Sequence, residues 1–333
     1  MLNIKLSKPP KVIDKINQNV DTLPLIKIKV VGVGGGGCNA IDRMIQYGLG
    51  GVEFWSINTD RQTLDLNLSQ NKIQIGSSLT KGLGAGGEIS VGEKAAIEKQ
   101  SQIENAIKDA DLLFLTAGLG GGTGTGAISV IAESARKLGI LTVAIVTEPF
   151  NFEGKRRAAQ AKLGLDKLAK FVDSLIVVSN DALVGITTQK TTLAEAFKIS
   201  NEVLLRGVQG ISDILTSPGV INIDFADIKN ILKESGNAIL GIGIGEGANG
   251  SIEAANLAIG SKLLKTPLRN AKRLIVNVCG NSQLSLGNVI DAMDTVNKFI
   301  NPNANIIMGT SVDESLSNQA IVTIIASGLD EQE

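Results

Sequence analysis

The distribution of glycine constrains the fold of this chain more than any other feature of its sequence. Of the 38 glycines, 15 lie in three dense clusters, Gly32–Gly37, Gly82–Gly87 and Gly118–Gly126. Because glycine lacks a Cβ, such clusters occur where a loop passes close to another backbone or to a ligand. Each cluster precedes a helix-like stretch, so the sequence predicts ligand-binding loops at the starts of helices.

The third cluster is the strongest of these signals. It follows the apolar, strand-like segment Leu112–Thr116 and precedes a predicted helix over Ala127–Leu138. Ordinary connections between a strand and a helix span about 2–6 residues and rarely hold so many glycines. The backbone N–H groups of this loop and its threonine hydroxyls can converge on an anion at the positive end of the helix. We therefore predict phosphate binding here.

The first cluster fits two kinds of nucleotide site. Gly32, Gly34 and Gly37 have the G-x-G-x-x-G spacing of a dinucleotide-binding turn, which also requires an acidic residue at the end of the next strand. The run Asn58-Thr59-Asp60 meets that requirement only loosely. The spacing therefore leaves open whether the ligand is a mononucleotide or a dinucleotide. The motif G-x-x-x-x-G-K-[ST] does not occur, which excludes a P-loop NTPase.

Strand-like and helix-like segments alternate along the first half of the chain, which predicts a mostly parallel sheet covered by helices. Among these helices, one is expected over Asn39–Tyr47, after a loop at Gly34–Gly37, and one continuous helix over Ser90–Lys108. The glycine clusters would then share the carboxyl-terminal edge of one sheet, where open α/β folds bind their ligands. Taken alone, the second cluster fits a mobile surface loop equally well.

A long helix from Thr192 to Leu215, capped by Thr191 or Thr192, is interpreted as a spine between two domains. The smaller second domain is a mixed α/β unit, and its last strands, Ile306–Met308 and Ala320–Ile325, are expected to pair as a hairpin. The predicted divisions are a flexible N-terminal extension (1–24), a nucleotide-binding domain (25–190), the central helix (191–217) and the second domain (218–330).

Composition excludes several classes of function. The sequence contains no histidine, which excludes histidine-based catalysis and most transition-metal sites. Lysine plus arginine (32) nearly balances aspartate plus glutamate (33), so no overall field favours nucleic acid or an anionic membrane. The two cysteines, Cys38 and Cys279, lack metal-binding spacing and are expected to stay reduced. No apolar run is long enough to span a bilayer, so direct membrane insertion is not expected.

A few residues could recognise a base and a sugar. Phe197 and Asn201 share one face of the long helix, Asn180 follows a strand, and Glu153 and Arg157 are spaced as an ion pair on a helix. Taken singly, each fits an ordinary structural role better, as a core aromatic, a turn residue or a surface ion pair.

Asp224 and Asp227 follow the end of the long helix. Asp224 at the N-cap and Asp227 in the first turn of the next helix would stabilise that helix. Two carboxylates in this run could instead polarise a water molecule or hold a cation. The residue pattern alone favours the cap.

Together these motifs resemble those of the tubulin/FtsZ family, and within it the FtsZ group. Gly118–Gly126 resembles the signature GGGTGTG, and Asn222–Asp227 resembles the FtsZ loop usually written NVDFAD. The resemblance runs in order over about residues 25–328. Further matching segments are Gly34–Ala40, Asn58-Thr59-Asp60, Thr80–Gly86, Pro149–Gly154 and Gly207–Ile211.

The resemblance implies a tubulin/FtsZ-like fold in which residues 25–190 bind GTP or GDP, with Mg²⁺, and residues 218–330 activate hydrolysis. It implies that Glu153 and Arg157 meet the ribose and phosphate, that Asn180 and Asn201 read the guanine edge, and that Phe197 stacks on the ring. The residues implied to bind nucleotide are Gly35, Gly36, Gly37, Cys38, Asn39, Asn58, Gly122, Thr123, Gly124, Glu153, Arg157, Asn180, Phe197 and Asn201.

The implied catalytic residues are Asn222, Asp224 and Asp227, which complete the site of the next subunit rather than their own. Such a chain is its own main partner, forms head-to-tail filaments and works with membrane-anchoring division proteins. The expected location is cytoplasmic, in a ring at the division site, or alternatively the plastid stroma. Trp55 and the segments Val178–Asp181 and Pro302–Ile307 look like the cyanobacterial and plastid branch.

Two alternative functions stay open. One is a tubulin-like scaffold that binds GTP and co-assembles with a more active partner while hydrolysing little GTP itself. The retained pair Asp224 and Asp227 favours hydrolysis over this alternative. The other is a nicotinamide-dependent oxidoreductase, motivated by the spacing in Gly32–Gly37.

Overall fold

The computed structural model of the protein describes residues 26–184, 191–216, 223–264 and 266–329. The predicted extension 1–24 and the predicted catalytic residue Asn222 lie outside these ranges. The strands are β1 (Ile28–Val33), β2 (Glu53–Asn58), β3 (Asn71–Gln74), β4 (Leu112–Gly118), β5 (Leu141–Glu148), β6 (Ser174–Ser179), β7 (Gly236–Glu246), β8 (Arg273–Gly280), β9 (Asn305–Val312) and β10 (Gln319–Ser327). The helices are α1 (Gly34–Tyr47), α2 (Arg61–Leu66), α3 (Ser77–Thr80), α4 (Ile89–Glu98), α5 (Gln100–Ile107), α6 (Thr123–Lys137), α7 (Lys155–Leu168), α8 (Asn180–Val184), α9 (Leu193–Thr216), α10 (Phe225–Leu232), α11 (Gly250–Ile259) and α12 (Leu286–Asn297).

The strands form one sheet in the order β3-β2-β1-β4-β5-β6-β7-β10-β8-β9. All neighbouring pairs from β3 to β7 are parallel, which confirms the predicted mostly parallel α/β sheet. The first half of the sheet comprises β1 to β6, and the second half comprises β7 to β10. In the first half, the strand order reverses between β1 and β4. The helices that follow these two strands therefore leave in different directions, and this creates the crevice in which such sheets bind ligands.

The second half of the sheet continues from the first through a short parallel pairing, Ser174–Ile176 with Gly236–Ala238. One apolar cluster, which includes residues of α1 and α9, lies against strands of both halves. A second cluster fills the other face of the first half under α4–α7, and a third packs α11 and α12 on the second half. The division into domains at residue 190 stays a prediction.

Helix α9 is the longest helix in the described part of the chain, with 24 residues, and is about 36 Å long at 1.5 Å per residue. Its start confirms the predicted cap, because Thr192 Oγ1 accepts from the N–H of Glu195 (3.3 Å) and the Glu195 carboxylate accepts from the N–H of Thr192 (2.7 Å). Gly207 lets the helix approach Ile145 and Leu240, which belong to strands of the two different halves.

The predicted hairpin between the last two strands is wrong. Strand β10 lies between β7 and β8 and is antiparallel to both, whereas β9 pairs in parallel with β8 at the edge of the sheet. Burial explains the arrangement, since nearly every residue of β10 is buried, while much of β9 is partly exposed. A strand that is apolar on both faces belongs inside a sheet, not in a terminal hairpin.

Two helix predictions also need correction. The predicted helix Ser90–Lys108 is divided into α4 and α5, because Lys99 between them leaves the helical conformation (φ −112°, ψ 18°). The predicted loop Gly34–Gly37 is instead the first turn of α1. Glycine is a poor helix former, so propensity places the start of α1 too late.

Candidate nucleotide-binding site

The first turns of α1 and α6 meet at the point where the strand order reverses. Gly34, which has a positive φ of +70°, begins α1, and a Cβ added there would lie 2.7 Å from the backbone nitrogen of Gly124. The first turn of neither helix contains an acidic residue. Two helix N-termini, each equivalent to about half a positive charge, therefore converge on one spot and favour an anion.

Some glycines at this spot border open space and others are in contact with backbone. A Cβ added at Gly35 or Gly121 would meet nothing within 4 Å, whereas one at Gly36 would lie 2.9 Å from the nitrogen of Gly118. Gly35 and Gly36 are exposed, while Gly37 is buried behind them. An approaching phosphate would therefore meet exposed backbone of the first turn of α1.

The two residues after these glycines differ in access. Asn39 is exposed, but Cys38 is fully buried. Burial raises the pKa of the Cys38 thiol to about 12, so the side chain stays neutral at ordinary pH. Of the predicted binding residues in this turn, Cys38 can therefore offer a ligand its backbone rather than its side chain.

The second and third glycine clusters are in direct contact. A Cβ added at Gly122 would lie 2.8 Å from the nitrogen of Glu88 and 2.9 Å from the Cβ of Ala85. The glycine loop at 82–87 is also bonded to the end of β2, because Arg61 N–H donates to Gly82 O (3.0 Å) and Leu83 forms a β-bridge with Asp60. The three clusters thus form one continuous surface at one edge of the sheet.

The threonines of the third cluster have different partners. The Thr125 hydroxyl accepts from the N–H of Gly120 (2.9 Å) and so holds the loop closed. The Thr123 hydroxyl lies 2.7 Å from that of Thr59, at the end of β2. Thr59 lies in the family-like segment Asn58-Thr59-Asp60 but is not among the predicted site residues, because its contact with a residue 64 positions away is not visible in the sequence. Asn58, a predicted binding residue, is buried at 2% exposure beside it.

Aromatic and amide side chains collect at the start of α9. Phe197 is 40% exposed and packs edge to face against Phe150, with ring centroids 5.4 Å apart. Asn180 is buried, and its side-chain oxygen accepts from the Ser200 hydroxyl (2.7 Å). Asn201 lies one helical turn after Phe197. The exposed ring face and the two amides suit a planar ligand with polar edges.

The predicted ion pair between Glu153 and Arg157 is present. The Glu153 carboxylate also accepts from the backbone N–H of Phe150 (2.9 Å), which holds the turn that carries the aromatic ring. The Arg157 side chain is 56% exposed, so it can turn towards a ligand. Phe150 and Ser200 support predicted residues, but their tertiary contacts are not visible in local sequence patterns.

Asp224 and Asp227 belong to the opposite edge of the sheet. Helix α9 ends at Thr216, whose side chain lies against Gly51 in the connection before β2, and α10 ends just before β7 begins. Asp224 occupies the N-cap position of α10 but makes no side-chain cap hydrogen bond, and both carboxylates are exposed. The cap interpretation therefore does not account for Asp224. The length of α9 separates Thr216 from the glycine clusters, and the end of α10 lies at the same edge of the sheet as Thr216.

Comparison with known proteins gives consistent matches. Residues 27–188 match the model of the tubulin/FtsZ family GTPase domain, and residues 236–330 match that of the FtsZ family C-terminal domain. An empty FtsZ dimer from M. jannaschii is 42% identical, with a TM-score of 0.88 over 91% of this chain and 88% of that one. A mutant of FtsZ from M. jannaschii with tyrosine in place of one tryptophan is 42% identical as well, with a TM-score of 0.88 over 91% of each chain.

A more distant structure shares the fold. CetZ2 from Haloferax volcanii, solved as a GTPγS-bound protofilament, is 21% identical with a TM-score of 0.78, covering 92% of this chain and 95% of that one. In the part of this chain that the structure describes, no helix combines the length and apolar character needed to cross a bilayer.

Proposed function

The chain belongs to the tubulin/FtsZ family of GTPases, and from this membership we propose that it binds GTP, hydrolyses it to GDP and phosphate, and assembles head to tail into filaments. The observation that carries the proposal is the placement of two chemical features in the fold. The anion-binding helix N-termini and the exposed acidic segment lie at opposite edges of one sheet. One molecule cannot bring them together, whereas a second copy stacked on the first can.

In this proposal the triphosphate is bound by backbone N–H groups of Gly35–Asn39 and Gly122–Gly124. Glu153 and Arg157 contact the ribose and phosphate, and Asn58, at the end of β2, is a further binding residue. Phe197 stacks on guanine, and the amides of Asn180 and Asn201 bond to its edge. The described residues bring together no group of three or more metal-binding side chains, so Mg²⁺ would be held mainly by the phosphate oxygens.

Hydrolysis requires a water molecule in line with the γ-phosphate. We assign its orientation to Asn222, Asp224 and Asp227 of the adjacent copy. The water oxygen attacks phosphorus, the bond to the β-phosphate oxygen breaks, and the released proton passes to a carboxylate or to solvent. Both carboxylates are exposed, as residues that act on another molecule must be.

A head-to-tail contact between unlike surfaces produces an open filament, because the contact does not close on itself. The glycine edge has exposed apolar side chains that suit such a contact: Leu79, Leu83 and Phe152 are 51%, 82% and 63% exposed. We assign the filaments to a division ring, cytoplasmic in a bacterial cell or alternatively in the plastid stroma. Membrane-anchoring division proteins would be further partners.

Mixing two defective variants tests the shared site. Asp227→Ala is expected to bind GTP normally but to lose turnover by about 100-fold or more. Gly35→Asp adds a carboxylate in the first turn of α1, where it favours the helix but repels phosphate, so GTP binding is lost. In a mixture, the nucleotide site of the first variant can meet the acidic segment of the second. Phosphate release on adding GTP and Mg²⁺ should therefore recover.

The control is sedimentation of the mixture, with each variant labelled, to establish that both enter the same filaments. Co-assembly without recovered turnover would contradict the shared site. Full activity of Asp227→Ala alone would remove that residue from catalysis. If the unmodified protein binds GTP and assembles but does not hydrolyse GTP, the result would favour the scaffold alternative. If it binds NAD and does not bind GTP, the result would favour the oxidoreductase.

A further inference from the structure

We propose that Thr59 is a positioning residue for phosphate binding, which acts by orienting the hydroxyl of Thr123. The inference rests on the proposed function, since it assumes a nucleotide phosphate at the starts of α1 and α6. Its basis is the pair of hydroxyl oxygens 2.7 Å apart. Thr59 is fully buried, whereas Thr123, the first residue of α6, retains 9% exposure at the edge of the site.

Two facing hydroxyls form one hydrogen bond in which one donates and the other accepts, so only the accepting hydroxyl keeps its own hydrogen free for another partner. If Thr123 donates to Thr59, its hydrogen is unavailable to a ligand. If Thr59 donates to Thr123, the Thr123 hydrogen is free to point at a phosphate oxygen. An anion at the helix start selects the second arrangement, and a donor that itself accepts a hydrogen bond is strengthened. Thr59 thus makes Thr123 a better donor without touching the ligand.

The position of Thr59 also connects this bond to the second glycine cluster. Thr59 follows β2, and its neighbours hold that cluster through the Asp60–Leu83 bridge and the bond from Arg61 N–H to Gly82 O. On the far side, the hydroxyl of Thr80 donates to Gly76 O (3.0 Å) and accepts from Gly82 N–H (3.2 Å). The short segment around Thr59 therefore joins the loop at 82–87 to the helix that receives the phosphate.

The test compares Thr59→Val, which keeps the shape and removes the hydroxyl, with Thr59→Ser, which keeps the hydroxyl. GTP affinity is measured by titration below the assembly concentration, and kcat and KM by phosphate release. We expect Thr59→Val to weaken GTP binding about fivefold, the typical effect of one hydrogen bond between neutral groups, because the Thr123 hydroxyl loses the bond that fixes its direction. Thr59→Ser should stay within about twofold of the unmodified protein.

A double-mutant cycle separates positioning from general structure. In a Thr123→Val background the hydroxyl of Thr59 has nothing to orient, so Thr59→Val should change GTP affinity by less than about twofold. An equal loss in both backgrounds, or unchanged affinity in Thr59→Val, would overturn the inference. If Thr59→Val does not fold, Thr59→Ala is used in the same cycle. Failure of the unmodified protein to bind GTP would instead reject the proposed function.

Discussion

Neighbouring glycines in the first turn of α1 face different surroundings. Gly35 borders open space, whereas Gly36 contacts the backbone of Gly118 and leaves no room for a side chain. A run of glycines that looks uniform in the sequence therefore combines residues needed for packing with residues that leave room for a ligand.

Alanine substitutions should separate these roles. Gly36→Ala is expected to lower the free energy of unfolding by about 1–3 kcal/mol, because the added methyl group overlaps the Gly118 backbone. Gly35→Ala should leave stability unchanged or raise it by about 0.5–1 kcal/mol, since alanine is the better helix former, but should weaken GTP binding. Urea unfolding without nucleotide and GTP titration measure the two effects. Equal stability of the two variants would contradict this assignment.

At the residue scale, sequence motifs suggest which side chains belong to the candidate site but not what supports them. The resemblance to the tubulin/FtsZ family points to Asn180 and Phe197, while their partners Ser200 and Phe150 become apparent only from packing. Thr59 is a similar case, because its partner Thr123 is distant in the chain. Such contacts depend on how β2, α6 and α9 are arranged, which no local pattern encodes.

Whole elements are easier to predict than these contacts. Most strands of the first half contain apolar runs bounded by glycine or polar residues, so their positions follow from the sequence closely: the predicted strand Leu112–Thr116 is two residues shorter than β4, Leu112–Gly118. The neighbours of β9 and β10 in the sheet cannot be predicted in this way. A strand's place in the sheet depends on whether neighbouring elements bury both of its faces. The start of α1 does not follow from the sequence either, because the close packing of its first turn overrides the low helix propensity of glycine.

Helix α9 contains a carboxyl group that should make stability depend on pH. The pKa of Asp213 is raised to about 7, mainly by burial; the hydrogen bond with Gln209 and the charge of Arg206 oppose the rise, and nearby Asp313 adds to it. The native protein holds this proton up to about pH 7, whereas the unfolded chain releases it near 3.8. The contribution of Asp213 to stability is therefore greatest below about pH 4 and is lost as the pH rises to about 7.

Asp213→Asn removes this titration. The variant is expected to be more stable than the unmodified protein at pH 8, by about 1 kcal/mol, because an amide avoids the burial of a charge. Between pH 8 and pH 6 the unmodified protein should gain stability relative to the variant. Thermal unfolding at both pH values measures the difference. A stability difference that is the same at both pH values would exclude Asp213 as the titrating group.

The molecule as a whole is held together by polar bonds as well as by the shared apolar cluster. Tyr47, at the end of α1, donates a hydrogen bond to Asp313, which follows β9 in the second half. The Tyr47 hydroxyl also accepts from Arg206 Nη1 (2.9 Å), and the guanidinium lies 4.6 Å from the ring centroid. Glu202 in turn pairs with both Arg206 and Arg43. The helix that begins at the proposed phosphate site thus ends in a bond to the other half.

Tyr47→Phe should weaken this connection while keeping the ring under Arg206. We expect the free energy of unfolding to fall by about 1–2 kcal/mol, because Asp313 and Arg206 each lose a partner. The fluorescence of Trp55, the single tryptophan, and far-ultraviolet circular dichroism should still report one urea transition, since the apolar cluster spans both halves. An unchanged midpoint would argue against a stabilising role for the Tyr47 hydroxyl.

The glycine clusters and the acidic segment lie at opposite edges of the sheet, and this has a consequence for the kinetics of the proposed filament. A row of n copies completes n − 1 catalytic centres, because one terminal copy has an unmatched nucleotide pocket and the other an unmatched pair of carboxylates. Activity per molecule is then zero for a monomer and half-maximal for a dimer. It approaches a plateau only in long rows, so the specific rate reports the mean length of the polymer.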